Sequence, residues 1–315
     1  MSPFDDAFKD LRISGSVLLT GTHGAPWAVD IPGEEKLRTP LKAGPDQRVI
    51  PFHLVRRGRF ELVSESGQRV EVGRNEVVLC PGGHPHRMRL GAGASPIPFG
   101  KILSGEIPQP CWNGETEMTE LICGAFLVQS TPLNPLLSAL PPVLTCPTDE
   151  PRATPMLARV TEMLALEVQT PDRQADGFTR ARLLEIFCAE VIRAGQSDHS
   201  GQTGWFKGLS DPKVAKALAQ IHADPAAPWT VERLAQTVAL SPSRFAARFR
   251  DTVGVTAMSY VARWRMNLAC RMLREGDASI DNIAERIGYG GTAAFARAFK
   301  DHVGTPPSRW RAQAS

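Results

Sequence analysis

The sequence predicts an α+β multidomain chain: a β-rich N-terminal half built as a sandwich or barrel, a helical segment with a linker, and an all-α C-terminal third. Three observations carry this. Short alternating or β-branched runs recur through residues 11–130, separated by turn signals. Beyond residue 155 the apolar residues change to a helical period. In the C-terminal third a ten-residue segment recurs at an offset of 50, so that region holds two copies of one helical unit.

Composition bounds the function classes. The chain has 315 residues, 42% hydrophobic and 22% charged, enough for two globular cores. The net charge of +3 conceals a division. Residues 205–315 carry 16 Lys+Arg against 9 Asp+Glu, and the remainder carries 20 against 24. Basic charge confined to one domain predicts a polyanionic partner, whereas an acidic N-terminal part argues against a protein that merely coats DNA. Six cysteines at irregular spacing, without a CxxC pair, exclude a disulfide scaffold and predict a reduced chain. No apolar run reaches the roughly 18 residues that cross a bilayer, and Met1–Arg12 is polar and mixed in charge, unlike a secretory leader. A cytoplasmic protein without a membrane partner is expected.

The elements follow in order. Strands are predicted at 16–19, 49–56, 59–64, 68–72, 76–79, 87–90 and 120–129, with turns at Arg57-Gly58, Ser66-Gly67, Gly73-Arg74-Asn75 and Pro81-Gly82-Gly83. Seven prolines between Pro132 and Pro155 are expected to end the sheet region. Two amphipathic helices follow, at 155–168 and 178–193. Their apolar stripes are Met156, Val160, Met163 and Leu164, and Leu183, Leu184, Phe187 and Val191. Residues 195–208 have linker composition. These features set domain boundaries at 1–145, 146–208 and 209–315.

The repeat sets the architecture of the last domain. Residues 245–254 read FAARFRDTVG and 295–304 read FARAFKDHVG, identical at six of ten positions. Each copy follows a short helix, 231–238 or 280–287, a brief break, and a small polar residue suited to N-capping, Ser241 or Thr292. Helix, tight turn and a second helix with inward Phe at i and i+4 make a helix-turn-helix, placed at about 231–252 and about 280–302. Residues 256–274 join the copies without interior Gly or Pro. Their length as a helix, about 28 Å at 1.5 Å per residue, approaches the roughly 34 Å between successive major-groove faces of B-DNA.

The segments PWTVERLAQTVALSPSRFAARFRDTVGVTAMSYVARWRMNLA (228–269) and IAERIGYGGTAAFARAFKDHVGTPPSRWR (283–311) closely resemble the signature of the AraC/XylS family of bacterial transcription regulators. The N-terminal half, with PGGHPHRM and LICGAFLV, more loosely resembles the branch carrying a cupin-type sensor domain. The resemblance implies a cupin-like β-barrel, a helical linker, and two helix-turn-helix motifs joined by a long helix. It also implies double-stranded operator DNA and RNA polymerase as partners, a small-molecule, metal or oxidant effector, and a homodimer paired through the linker helices.

In that family the exposed residues at the start of each second helix approach base edges, here Ser243, Arg244 and Ala247, and Thr292, Ala293 and Arg297. Arg can donate two bonds to guanine, so Arg244 and Arg297 are the foremost base readers, whereas Ala offers only contact with a thymine methyl. Arg248, Arg250, Lys300 and Arg309 are assigned to phosphates, which position the protein without specifying sequence. Ala247 stands where the second copy has Arg297, so the first motif should read through fewer hydrogen bonds.

Cupins hold a metal through an HxH…Glu motif and a PxGxxH motif. Residues 81–86 match the second, with His86 at the ligand position; 52–58 keep only His53 of the first. An oxygenase-type site is therefore not expected. His53, His84, His86 and Cys123 remain as candidate ligands for Zn²⁺ or a similar ion, because imidazole and thiolate suit borderline metals. Cys80, Cys111 and Cys123 are candidates for redox sensing. A small organic ligand inside the barrel is a third reading. The function expected is a sequence-specific transcription regulator, activator or repressor, rather than an enzyme. The alternative is a cupin metalloenzyme fused to a DNA-binding module.

Overall fold

The computed structural model describes residues 3–9, 11–44, 47–104, 117–169, 177–198, 204–276 and 278–314. In chain order the elements are α1 (Pro3–Lys9), β1 (Arg12–Gly24), β2 (Trp27–Ile31), α2 (Glu34–Leu41), β3 (Gln47–Arg57), β4 (Phe60–Ser64), β5 (Arg69–Val72), β6 (Glu76–Leu79), β7 (His86–Leu90), β8 (Ile97–Pro98), α3 (Phe99–Leu103), β9 (Met118–Gln129), α4 (Pro135–Ala139) and β10 (Leu144–Pro147). Helices complete the chain: α5 (Pro155–Gln169), α6 (Gly177–Asp198), α7 (Trp205–Ser210), α8 (Pro212–Ala223), α9 (Val231–Thr237), α10 (Pro242–Val253), α11 (Ala257–Glu275), α12 (Ile280–Arg286), α13 (Thr292–Val303) and α14 (Pro307–Ala314). They group into two compact units, one of residues 12–129 and 140–195, the other of residues 1–11, 130–139 and 196–315.

The first unit is two five-stranded sheets, ordered β1-β9-β3-β6-β10 and β5-β4-β7-β2-β8. Their facing sides meet in a core that joins Leu19, Val49, Val55 and Val78 of one sheet to Trp27, Phe60, Leu62 and Met88 of the other. The central strand β3 is buried on both sides. Val49 and Val55 face this core, and Phe52 stacks on Phe126 at 4.7 Å and meets Phe187 of α6 edge-on at 6.0 Å. That is why residues 49–55 read as a continuous apolar run rather than an alternation. Gly124 of β9 serves the same crowding: a Cβ there would stand 2.2 Å from the Ser16 carbonyl oxygen and 2.6 Å from the Phe52 ring.

The seven predicted strands are present, several of them longer than expected. β2, β8 and β10 were not anticipated. β10 lies inside the proline-rich stretch expected to end the sheet, and among the described residues it is an edge strand paired with β6. At an edge, Pro147 costs no ladder bond on its free side.

The linker helices split the stripes read from sequence. Val160, Leu164, Leu183, Leu184, Phe187 and Val191 are buried, whereas Met156 and Met163 are exposed. With Leu166, Phe178 and Ile186, also exposed, they leave these two helices with a second, solvent-facing set of apolar residues.

In the second unit the repeat becomes geometry. Phe245 and Phe249 of α10, and Phe295 and Phe299 of α13, are fully buried, each pair with ring centroids 5.7 Å apart. Both helices end on a left-handed glycine, Gly254 (φ 85°) and Gly304 (φ 86°). The N-caps differ from expectation. Ser241 occupies the cap of α10 and Gly291 that of α13, and neither makes a side-chain capping bond. Pro242 at the first helical position pre-sets α10 instead, and the Thr292 hydroxyl bonds the Asp281 carboxylate of α12.

Residues 205–208 are not linker. Trp205 and Phe206 are buried, and the Trp205 indole donates to the Tyr260 hydroxyl at 2.9 Å. Two aromatics in a Gly- and Ser-rich window gain more from burial than the window's composition suggests. The segments 1–11 and 130–139, which the linear boundaries place in the sensor, also belong to this unit. Asn134 donates to the Ala7 carbonyl at 2.9 Å, and Arg274 donates to that of Ser130 at 3.2 Å.

Candidate DNA interface and a buried histidine–cysteine cluster

The helical period arranges the predicted readers. Ser243, Ala247 and Arg250 fall at i, i+4 and i+7 on α10, and Ala293, Arg297 and Lys300 do the same on α13, so each set forms one stripe. All six are exposed, opposite the buried Phe pairs. Arg244 is exposed on the flank of the first stripe, and Thr292 is half-buried at the start of the second. The two stripes differ chemically: α13 has a guanidinium at its centre, where α10 has a methyl group.

Arg248 is already engaged. Its guanidinium donates to Asp211 at 2.7 Å, and Asp211 in turn caps α8 by accepting the Lys213 and Val214 amides. Burial alone would raise the Asp211 carboxyl, but the Arg248 bond and these amides outweigh it and hold the carboxyl below its ordinary range. Arg248 thus ties α10 to α8, a role that phosphate binding would share or compete with. Arg309, on α14, is exposed.

Arg265 of α11 was not singled out from sequence. It donates to the carbonyls of Pro225 and Ala227, both at 2.8 Å, and reaches that of Gly288 in the second motif at 3.5 Å. The connecting helix therefore fastens the second motif's turn to the loop preceding the first motif. Nothing in the local pattern marks it, because one Arg on a basic helix reads as a solvated charge.

In the first unit, strand pairing gathers His53, His86 and Cys80, all buried, whose ligand atoms lie within 4.8 Å of one another. His53 Nε2 is 2.9 Å from His86 Nε2, and Cys80 Sγ is 3.8 Å from the same atom. The His84 carbonyl can only accept, so His86 Nδ1 donates to it at 3.2 Å, leaving the His86 Nε2 lone pair aimed into the cluster. Burial, and secondarily the neighbouring His86, hold the His53 imidazole well below its ordinary pKa. Burial also lowers His86, against the opposing effect of the His84 carbonyl. Burial pushes the Cys80 thiol up to about 12.

The other sensor candidates fall elsewhere. The His84 side chain is exposed in the turn before β7 and contributes only its carbonyl. Cys123 pairs in register with His53, but β9 flanks β3 on the side away from β6, whereas Cys80 closes β6 and opens the turn into β7. Its thiol is buried and raised, as is that of Cys80, the reverse of the exposed thiolate that oxidant chemistry favours. Cys111 lies outside the described residues.

Beside the cluster runs a groove of about 1150 Å³, lined among others by Glu34, Arg69, His86, Arg87 and Phe99. Ion pairs stand along it, Arg87 to Asp30 at 2.6 Å and Arg38 to Glu34 at 2.5 Å. Among the described residues no helix is long and apolar enough to cross a membrane.

A two-sheet domain, together with paired helix-turn-helix motifs joined by one long helix, defines the class of two-domain DNA-binding regulators. Comparison with known proteins is specific. A cupin model matches residues 2–195 and a helix-turn-helix domain model matches residues 234–313. The chain is 32% identical over 317 residues to a protein from Streptomyces lividans described as an AraC-like transcription regulator, covering 99% of this chain and 98% of that one. A protein of the same description from Streptomyces antibioticus is 30% identical over 317 residues, with the same coverage. The HTH-type transcriptional regulator AlkR of Acinetobacter baylyi is 27% identical over 321 residues, 99% of this chain and all of that one. The chain belongs to the family of AraC-like transcription regulators, with a cupin domain ahead of its helix-turn-helix domain.

Proposed function

We propose that this regulator reads operator DNA through the two matched stripes of α10 and α13. The reading rests on one observation: Ser243, Ala247 and Arg250, and Ala293, Arg297 and Lys300, are presented in equivalent exposed positions on duplicated motifs that α11 joins and Arg265 ties together. Arg297 reads a guanine in the second half-site, assisted by Arg244 in the first, while Arg250, Lys300 and Arg309 neutralise phosphates. Ala293 and Ala247 supply apolar contact.

The cupin domain takes the effector, through the groove beside His86, and changes the output of the DNA-binding unit rather than catalysing a reaction. The absence of an HxH…Glu motif from 52–58 supports this. A second copy pairs through Met156, Met163 and Leu166 of α5 with Phe178 and Ile186 of α6, and a bound dimer could contact RNA polymerase at the promoter.

Selection of bound fragments from a genomic library by the full chain, followed by footprinting, tests the DNA reading. The expected result is one protected site with two contacted major-groove segments on one face of the duplex. Sequence-independent retention at all salt concentrations would overturn it.

A further inference from the structure

We infer that His53 Nε2, His86 Nε2 and Cys80 Sγ together hold a divalent ion of the Zn²⁺ class, with the remaining coordination position open to an incoming ligand. This goes beyond the DNA reading and does not depend on it.

The donor set fits such an ion. Tetrahedral Zn²⁺ with Zn–N of about 2.05 Å and Zn–S of about 2.3 Å separates two imidazole nitrogens by about 3.3 Å and a nitrogen from a thiolate by about 3.6 Å. The separations are 2.9 Å between the imidazole nitrogens and 3.8 Å from His86 to Cys80, and all three donor atoms lie within 4.8 Å of one another, so side-chain shifts of up to about 1 Å seat the ion. His86 already has the outer bond that orients a ligating imidazole, from Nδ1 to the His84 carbonyl. On His53, Nδ1 is buried with no hydrogen-bond partner, so the polar environment of that ring lies on the Nε2 side. Without an ion, the two rings can share only a single proton between their facing nitrogens.

The set is not the one that the cupin resemblance implies. It lacks the HxH pair and the carboxylate, and its third donor is the thiol of Cys80, which immediately precedes the PGGHPH turn. Binding replaces the thiol proton with the metal: the S–H bond breaks, the S–metal bond forms, and the proton leaves to solvent. Cys80 and His86 also line a cavity of about 380 Å³ with Ser64, Glu65, Gln68 and His84. The fourth position then faces this cavity, whose lining also includes the apolar Pro85, Pro142 and Val143, and which admits water or a small sulfur ligand, the arrangement of an open rather than a closed metal site.

The test uses the full chain without DNA. After chelator treatment under reductant, titration with Co²⁺ should saturate at one equivalent. Intense visible bands of tetrahedral cobalt should appear, with a thiolate-to-cobalt charge-transfer band in the near ultraviolet. Cys80→Ser should lose the charge-transfer band, and His53→Asn or His86→Asn should weaken binding more than about tenfold. Cys123→Ser should leave both spectrum and affinity unchanged. For the unaltered chain, zinc-edge X-ray absorption should count one sulfur and two imidazoles, a readout that no variant's misfolding can confuse. A zinc shell without sulfur, a charge-transfer band that survives Cys80→Ser, or no stoichiometric binding of either ion would overturn the assignment. Loss of DNA binding with the metal site intact would instead count against the DNA reading alone.

Discussion

Ala239 and Gly288 occupy the same place in the two motifs, the second residue after the first helix, and share a left-handed backbone at φ 52° and 81°. Only one of them is the residue that this conformation favours. Ala239 is exposed, so Ala239→Gly relieves backbone strain at little packing cost. It should stabilise the C-terminal unit by up to about 1 kcal/mol, net of the extra unfolded-state freedom of glycine. In Gly288→Ala the new Cβ would stand 2.5 Å from the Ala226 carbonyl oxygen. That substitution should destabilise by roughly 1–3 kcal/mol. Urea unfolding of the two variants beside the parent measures both, and changes of the same sign would contradict the account.

Arg297 and Lys300 sit one turn apart on a single stripe yet should respond differently. Arg297→Ala should cost about 1–3 kcal/mol on the operator and relax the preference at one base position. Lys300→Ala should weaken all sequences alike and reduce the salt slope by about one unit. Binding to a set of single-base operator variants at several salt concentrations separates the two. Uniform losses for both would remove Arg297 from base reading.

His222 makes the C-terminal unit sensitive to acid. It stacks on Trp264 at 3.7 Å between ring centroids, and its Nε2 accepts from the Tyr260 hydroxyl at 2.8 Å. Burial lowers its pKa to about 3, so the ring is neutral, and the 3.7 Å approach of Asp6 is not an ion pair. Because the folded value lies below the unfolded value of about 6.5, the stability from this group is fully present above that pH. It is lost progressively as pH falls toward 3, on the order of 5 kcal/mol in all. His222→Phe should be less stable than the parent at pH 7.5 but show a flatter decline between pH 6.5 and pH 4. Parallel declines in denaturant midpoint would assign the acid sensitivity to other groups.

The apolar residues on the solvent side of α5 and α6 should pair two copies. Leu166 is 66% exposed and Phe178 70%. Leu166→Glu with Phe178→Glu should shift sedimentation at micromolar concentration from dimer toward monomer while leaving the far-ultraviolet dichroism unchanged. A parent chain that sediments as a monomer both with and without operator would contradict the pairing.

Local pattern alone determined much of this protein. The 50-residue repeat, its inward Phe pairs and terminal glycines were legible because a helix-turn-helix is built from contacts a few residues apart. Seven strands were legible because alternation and turn chemistry are also local. What the tertiary structure decided depends on distant pairing and burial. His53 meets His86 across 33 positions, and Cys80 rather than Cys123 joins them, because the order of strands places β6, not β9, beside the turn into β7. Trp205 leaves its linker-like window because Tyr260, 55 positions away, offers a buried hydroxyl. Arg265 becomes a brace, and Arg248 an ion-pair partner, only once the carbonyls of Pro225 and Ala227 and the carboxylate of Asp211 stand within reach. A charged or polar side chain looks the same in sequence whether it meets water, DNA or a buried partner; its role is set by which groups folding brings within about 3 Å of it.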